Sequence, residues 1–246
     1  MKYYILLIIA LVAFSSCKEY ENSAEPSSVT YLPLIEIQGE PEIDLECNVG
    51  GYTDEGAVAT EGGTSIELTT SVIGVYFEGT AVNIPDLYHI TYSAENVDGI
   101  PGAETRSVTW PACNSDLVTG IEGMYTAAVF RTATSGATVD YSDAEHGPYW
   151  VVDLGGGQYG FSCVIGQFYE YGSDYGYGPA YAGTGFVVTA NDISTNDFTI
   201  TATNGVGAFG RDIEVTDFTV DSSAGTISWT ATWSAGYEFD VVLTQN

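Results

Sequence analysis

Two histidines, four cysteines and 33 acidic side chains are the groups through which this chain could do covalent, acid–base or metal chemistry. Neither histidine sits in a catalytic pattern. His89 alternates with strand-like neighbours and is expected to face solvent or an adjoining element, while His146 lies in "SDAEHGPYW", which reads as a turn. A Ser-His-Asp system would have to recruit one of them, and the nucleophile pattern GxSxG is absent. Cys163 and His146 can be drawn as a thiol dyad, but no motif surrounds them. A glycosidase needs two carboxylates at a set separation; with 33 acidic residues every cleft could supply two, so their presence decides nothing. Zinc needs clustered His or Cys, and there is no such cluster in the sequence. The best calcium candidate is "DYSDAEH", with Asp140, Asp143 and Glu145, but EF-hand spacing is missing, so it reads first as a solvated acidic hairpin loop. "NDISTND" reads the same way. The expectation is a non-enzymatic protein without a cofactor.

Binding chemistry is better served. "FYEYGSDYGYGPAYAG", residues 168–183, carries Tyr169, Tyr171, Tyr175, Tyr177 and Tyr181 at one sequence parity. In an extended chain all five would project from one face. The glycines and Pro179 make an unbroken strand unsuitable, so the segment reads as a strand entering a glycine-rich loop and returning. Tyrosine rings stack on sugars or peptide side chains, their hydroxyls hydrogen-bond, and few rotamers are frozen. The same rings could instead cap a barrel end or pack against a neighbouring domain. With Trp150, these five tyrosines are the candidate ligand- or partner-binding residues.

The elements that must position them are strands. Ile43, Leu45, Cys47 and Val49 alternate with polar residues, as do Tyr88, Ile90, Tyr92 and Ala94, and Arg106, Val108 and Trp110. Turn clusters such as "TEGGT" and "NVDGIPG" separate them. About seven short strands before Pro111 suit an immunoglobulin-like sandwich. "WPACNSD" reads as the linker. About eight further strands suggest an antiparallel barrel or closed sandwich, since both remove open edges. In its last hairpin Ile227, Trp229, Ala231 and Trp233 share one face, so both tryptophans read as core. The fold class is therefore all-β, with a sandwich over 29–112 and a second antiparallel domain over 113–246.

The N-terminus reads as a leader. Lys2 precedes an apolar run from Ile5 to Phe14, too short to span a bilayer comfortably, and small residues then lead to Cys17. "AFSSC" resembles a bacterial lipobox, which implies a signal peptide over 1–16 and lipidation at Cys17. Residues 17–28 read as a flexible tether, and the acidic residues after Cys17 resemble a surface-export signal of Bacteroidota lipoproteins. Without Cys17 the thiols are Cys47, Cys113 and Cys163, an odd number. Cys47 and Cys163 read as small buried hydrophobes, and pairing of Cys47 with Cys113 is left open. A formal charge of −28 argues against nucleic acid and anionic headgroups as partners.

"YWVVDLGGGQYGF", "YGYGPAYAGTGFVV" and "GTISWTATW…GYEFDVVLTQ" resemble the C-terminal domain of a family of Bacteroidota surface lipoproteins. Tyr88 to Val108 resembles the family's N-terminal Ig-like domain. The family is similar in setting to accessory lipoproteins of SusC/SusD-type outer-membrane uptake systems. The resemblance implies a lipid-anchored outer-membrane protein, on the cell surface, that binds a glycan or oligopeptide or docks on the transporter. Members often carry a basic residue within the glycine–tyrosine stretch; here Glu170 and Asp174 stand without an arginine. A structural surface protein, such as an adhesin or fimbrial subunit, is the alternative, and a glycoside hydrolase ranks behind both.

Overall fold

The computed structural model describes residues 29–172 and 175–246, except the side chains of 142–145. The leader, Cys17, the tether, Asp174 and the side chains of Asp143 and Glu145 lie outside the described residues.

From Leu32 to Asn246 the chain forms one compact unit. Its first part is a two-layer sandwich. One sheet contains β1 (Leu34–Ile37), β3 (Ala57–Glu61) and β4 (Thr64–Ser65), in that order. The other has the order β2 (Glu42–Asp44), β7 (Pro101–Trp110), β6 (Asp86–Glu95), β5 (Thr69–Gly74). The expected alternation in β6 places Tyr88, Ile90, Tyr92 and Ala94 inside, against Ile35, Ala59 and Val108. Arg106 shares this inward face. Its charge is matched by Asp54, and it donates to the carbonyls of Gln38 and Glu40. That pairing is what allows a buried guanidinium.

The strand expected from Ile43 to Val49 is shorter than its pattern. β2 ends at Asp44, and Val49 N–H closes a turn onto Glu46. β2 also runs parallel to β7, with Asp44 opposite Thr109. That pairing carries the chain beside the end of β7 and brings Cys47 to Cys113, with a Cα separation of 4.9 Å, so the two form a disulfide. Cys47 is therefore not the small buried hydrophobe its alternation suggested. "WPACNSD" is not a free linker either. The Trp110 carbonyl accepts from Trp150 Nε1 at 2.9 Å, and the Asn114 amide donates to the Asn246 carbonyl at 2.7 Å.

The second part is one eight-stranded antiparallel sheet that curls into a nearly closed barrel. Its strands are β8 (Gly123–Ala133), β9 (Thr138–Gly155), β10 (Gln158–Phe161), β11 (Phe186–Asp192), β12 (Asp197–Ala202), β13 (Ile213–Asp221), β14 (Thr226–Trp233) and β15 (Tyr237–Gln245). β8 to β12 follow as a meander, and β15 returns to pair with β8. Between the edge strands, the Asn196 side chain accepts from Val220 N–H at 2.7 Å, and the Phe198 and Phe218 rings meet at 5.0 Å.

"DYSDAEH" is not a hairpin loop, nor is His146 in a turn: both lie within the 18-residue β9. The tight turn comes earlier, where Ala133 N–H meets the Ala137 carbonyl. The β8–β9 register steps from Val129↔Tyr141 to Ala127↔His146, so β9 carries the extra residues as a bulge. Asp140 is exposed on this strand. Trp229 and Trp233 are core, as their alternation required.

The β10–β11 connection fills the barrel. Strand character stops at Phe161, and residues 161–170 are all buried. The Val164 carbonyl accepts from Trp229 Nε1 at 2.8 Å, and the Cys163 carbonyl accepts from the Tyr149 hydroxyl at 2.7 Å. Gly166 is needed here: at φ 62°, a Cβ would meet Val129 and Val241 within 2.8 Å. Cys163 is thus buried and free, but on this plug rather than on a strand.

Candidate functional site

The plug surfaces through a single helical turn, α1 (Phe168–Tyr171), preceded by Gln167 in the left-handed region at φ 60°. The tyrosines that follow do not share a face. A helical turn rotates successive side chains by about 100° where a strand would alternate them, so sequence parity is lost at Tyr169 and Tyr171.

Tyr169 points inward and Tyr175 lies partly buried above it, with ring centres 5.0 Å apart. Arg131, from β8, holds both. Its Nη1 donates to the Tyr169 hydroxyl at 3.2 Å and the Tyr175 hydroxyl at 3.3 Å. Its guanidinium lies 4.9 Å from the ring centres of both Phe168 and Tyr237. The basic residue missing from the tyrosine stretch is therefore supplied by a barrel strand. A signal for it existed: Arg131 shares parity with Tyr125, Ala127 and Val129, the inward face of β8.

Beyond Tyr175 the chain folds back on α1. Tyr177 N–H donates to the Tyr169 carbonyl at 3.0 Å, and Gly178 N–H to the Glu170 carbonyl at 3.2 Å. A short 3-10 turn, Pro179–Tyr181, follows. From Tyr175 a row of rings runs outward, Tyr177, Tyr181, Phe209, at steps of 5.5, 5.0 and 5.0 Å. It continues to Trp233 and Tyr237 at 6.0 and 5.8 Å. Tyr177 is 51% exposed and Phe209 44%. Phe209 comes from the loop after β12, which lies on the Pro179–Tyr181 turn because Gly207 has no Cβ; one there would sit 2.3 Å from the Ala180 carbonyl. No periodicity marks Phe209 in the sequence.

The remaining candidates lie elsewhere. Tyr171 is half-exposed, with its hydroxyl 3.1 Å from that of Tyr76. Trp150 is fully buried, its ring 5.3 Å from Tyr76 and its Nε1 bonded to the Trp110 carbonyl, so it joins the sandwich end to the barrel core. No cluster of three metal-ligating side chains occurs among the described residues.

Beneath α1 lies a sealed polar cluster. Glu170 is 1% exposed, and neither carboxylate oxygen has a hydrogen-bond partner among the described residues. It faces the Cys163 thiol and the Tyr76 hydroxyl, and burial pushes its carboxyl up to about 8. Burial, reinforced by Glu170, also raises the Cys163 thiol well above its ordinary value, so at neutral pH both groups are uncharged. His146 is buried against Tyr141, and burial lowers its imidazole. The Cys163 sulfur accepts from Gly183 N–H at 3.3 Å. A protonated thiol sealed from solvent is not a nucleophile. The site therefore has two layers, a neutral buried layer that shapes α1 and an exposed aromatic layer that offers contact area.

Residues 114–245 match a family model that describes a C-terminal domain. No curated protein matches the chain. Among solved structures, the crystal structure of the lipoprotein BT2262 from Bacteroides thetaiotaomicron is similar, with a TM-score of 0.54. The alignment covers 87% of this chain and 100% of that one at 24% identity, a likeness of fold.

Proposed function

The chain belongs to the family whose C-terminal domain is matched by residues 114–245, and from that premise we propose a non-enzymatic, lipid-anchored protein of the outer-membrane surface that serves as an accessory to a SusC/SusD-type uptake complex. The tyrosine row is its contact surface, for the transporter or for the glycan or oligopeptide being imported. One observation carries the reading: the exposed rings of Tyr177 and Phe209 are held on partly buried rings, Tyr175 and Tyr181, the first of them bonded to Arg131. Rigid, half-exposed aromatic rings offer contact area at small entropic cost, which is the property a recognition surface needs. The chemistry of the buried layer supports binding over reaction, since Glu170 and Cys163 are neutral and closed to solvent. The fold shared with a Bacteroides lipoprotein is consistent with the proposed anchoring at Cys17.

The test is a pull-down of the tagged protein from native membranes in mild detergent. Wild-type protein should bring down a SusC/SusD-type pair in fixed ratio, and a Tyr177→Ala/Phe209→Ala variant should lose it. Recovery of the wild type alone overturns the accessory role. Equal recovery by the variant moves the contact surface elsewhere.

A further inference from the structure

A second site lies where the sandwich meets the barrel. A crevice of about 190 Å³ opens between the Tyr76–Ile84 segment and strands β10 and β11. Its walls are apolar, chiefly the side chains of Phe77, Ile84, Leu154 and Val187. Two exposed polar side chains, Glu78 and Asn204, also line it.

The walls are fixed in advance. The buried Asp86 carboxylate accepts from Tyr76 and Phe77 N–H at 3.1 Å each and from Leu87 N–H at 2.7 Å. Gly74 N–H closes the same turn onto the Gly79 carbonyl at 2.6 Å. These bonds hold the backbone of the segment that brings Phe77 and Glu78 to the crevice. Opposite, strands β10 and β11 present Gly160 and Val187, backed by the Phe161 and Phe186 rings, which pack at 4.8 Å on the core side of the sheet. A pocket between two β units, with preformed apolar walls and a few converging polar groups, has the build of a ligand site.

Size and charge define the occupant. An enclosed apolar cavity of about 150 Å³ accepts one benzene ring, so the space within these walls holds one ring with a short substituent. The Phe77 ring attracts cations, the Glu78 carboxylate supplies a counter-charge, and the chain's −28 concentrates cations around it. We propose that the crevice binds a small aromatic amine, its ring against Phe77 and Leu154 and its ammonium on Glu78. The site is independent of the tyrosine row, and so is the proposal.

Fluorine NMR on the purified full-length protein tests it, with 4-fluorophenethylamine as probe and 4-fluorophenylacetate as its anionic counterpart. The amine should show a saturable shift that the acetate lacks. Glu78→Gln should weaken amine binding about fivefold, the scale of one exposed ion pair. Val187→Trp, which fills the crevice, should abolish it, and a second blocking variant, Leu154→Trp, guards against loss of fold. No saturable shift, equal binding of amine and acetate, or amine binding unchanged in both folded blocking variants would each overturn the assignment.

Discussion

The guanidinium of Arg131 lies 4.9 Å from the ring centre of Phe168, and the same group is hydrogen-bonded to Tyr169 and Tyr175. One cation from a rigid barrel strand thus fixes the start of a segment rich in glycine. Arg131→Met should keep the barrel and loosen the segment. The expected loss is roughly 1–3 kcal/mol, the worth of a partly buried cation–π contact with its hydrogen bonds. Hydrogen exchange checks it: amides of Tyr175, Tyr177 and Gly178 should exchange faster, while those of β14 and β15 should not change. Uniform acceleration would mean that Arg131 supports the whole barrel.

Glu170 makes stability depend on pH with a defined sign. Its carboxyl is held near 8 in the folded protein and returns to about 4.5 when unfolded. Between those values the unfolded chain releases a proton that the folded chain keeps, so the contribution is present below about pH 4.5 and lost as pH rises through 8. Its worth is on the order of a few kcal/mol. Facing it are Tyr76, Tyr149, Tyr171 and Cys163, whose own pKa values burial raises, so none of them ionises in this window. Glu170→Gln cannot ionise. Relative to the variant, wild type should become steadily less stable in urea from pH 5.5 to 8.5. A constant gap would show that Glu170 ionises freely.

Trp150 and Tyr177 were grouped by residue type, and their environments separate them. Trp150→Ala should cost about 3–5 kcal/mol, because a buried ring and an indole hydrogen bond are lost. Tyr177→Ala removes a half-exposed ring and should leave stability within about 0.5 kcal/mol. Thermal melts paired with the membrane pull-down measure both. A large loss of stability in Tyr177→Ala would make it a structural cap.

The Cys47–Cys113 bridge spans 66 residues of chain. A loop of that length stabilises by about 4 kcal/mol through the unfolded state. Cys47→Ser/Cys113→Ser should lower the urea midpoint accordingly, with little change in near-ultraviolet dichroism at low denaturant. An unaltered midpoint would mean that the bridge does not form in solution.

Much of the architecture was legible because it is written in local alternation. The patterns at Tyr88–Ala94, Ile227–Trp233 and Tyr237–Leu243 each place one buried face, and burial of that face is what defines the strand. Alternation misled where pairing cuts across it. β2 stops early because the chain turns to meet Cys113, and "DYSDAEH" stays in strand because a bulge absorbs the extra residues.

The candidate site was legible in composition and not in arrangement. The tyrosines and glycines of residues 168–183 marked an aromatic segment that fitted a cap on the core as well as a contact surface. Which rings face water depends on a left-handed Gln167 and one turn of helix, and neither leaves a periodic trace. Arg131 reaches Tyr169 across 38 residues, and Phe209 reaches Tyr181 across a loop packing that Gly207 permits.

By itself, the sequence determined an all-β chain, the inward face of its long strands, its acidic surface and the aromatic character of one loop, because these follow from side-chain type and near-neighbour spacing. Only the tertiary structure decided the disulfide, the buried plug, the sealed Glu170 and the split of the tyrosines between core and surface. Those depend on long-range strand pairing, whose free energy is set by residues far apart along the chain.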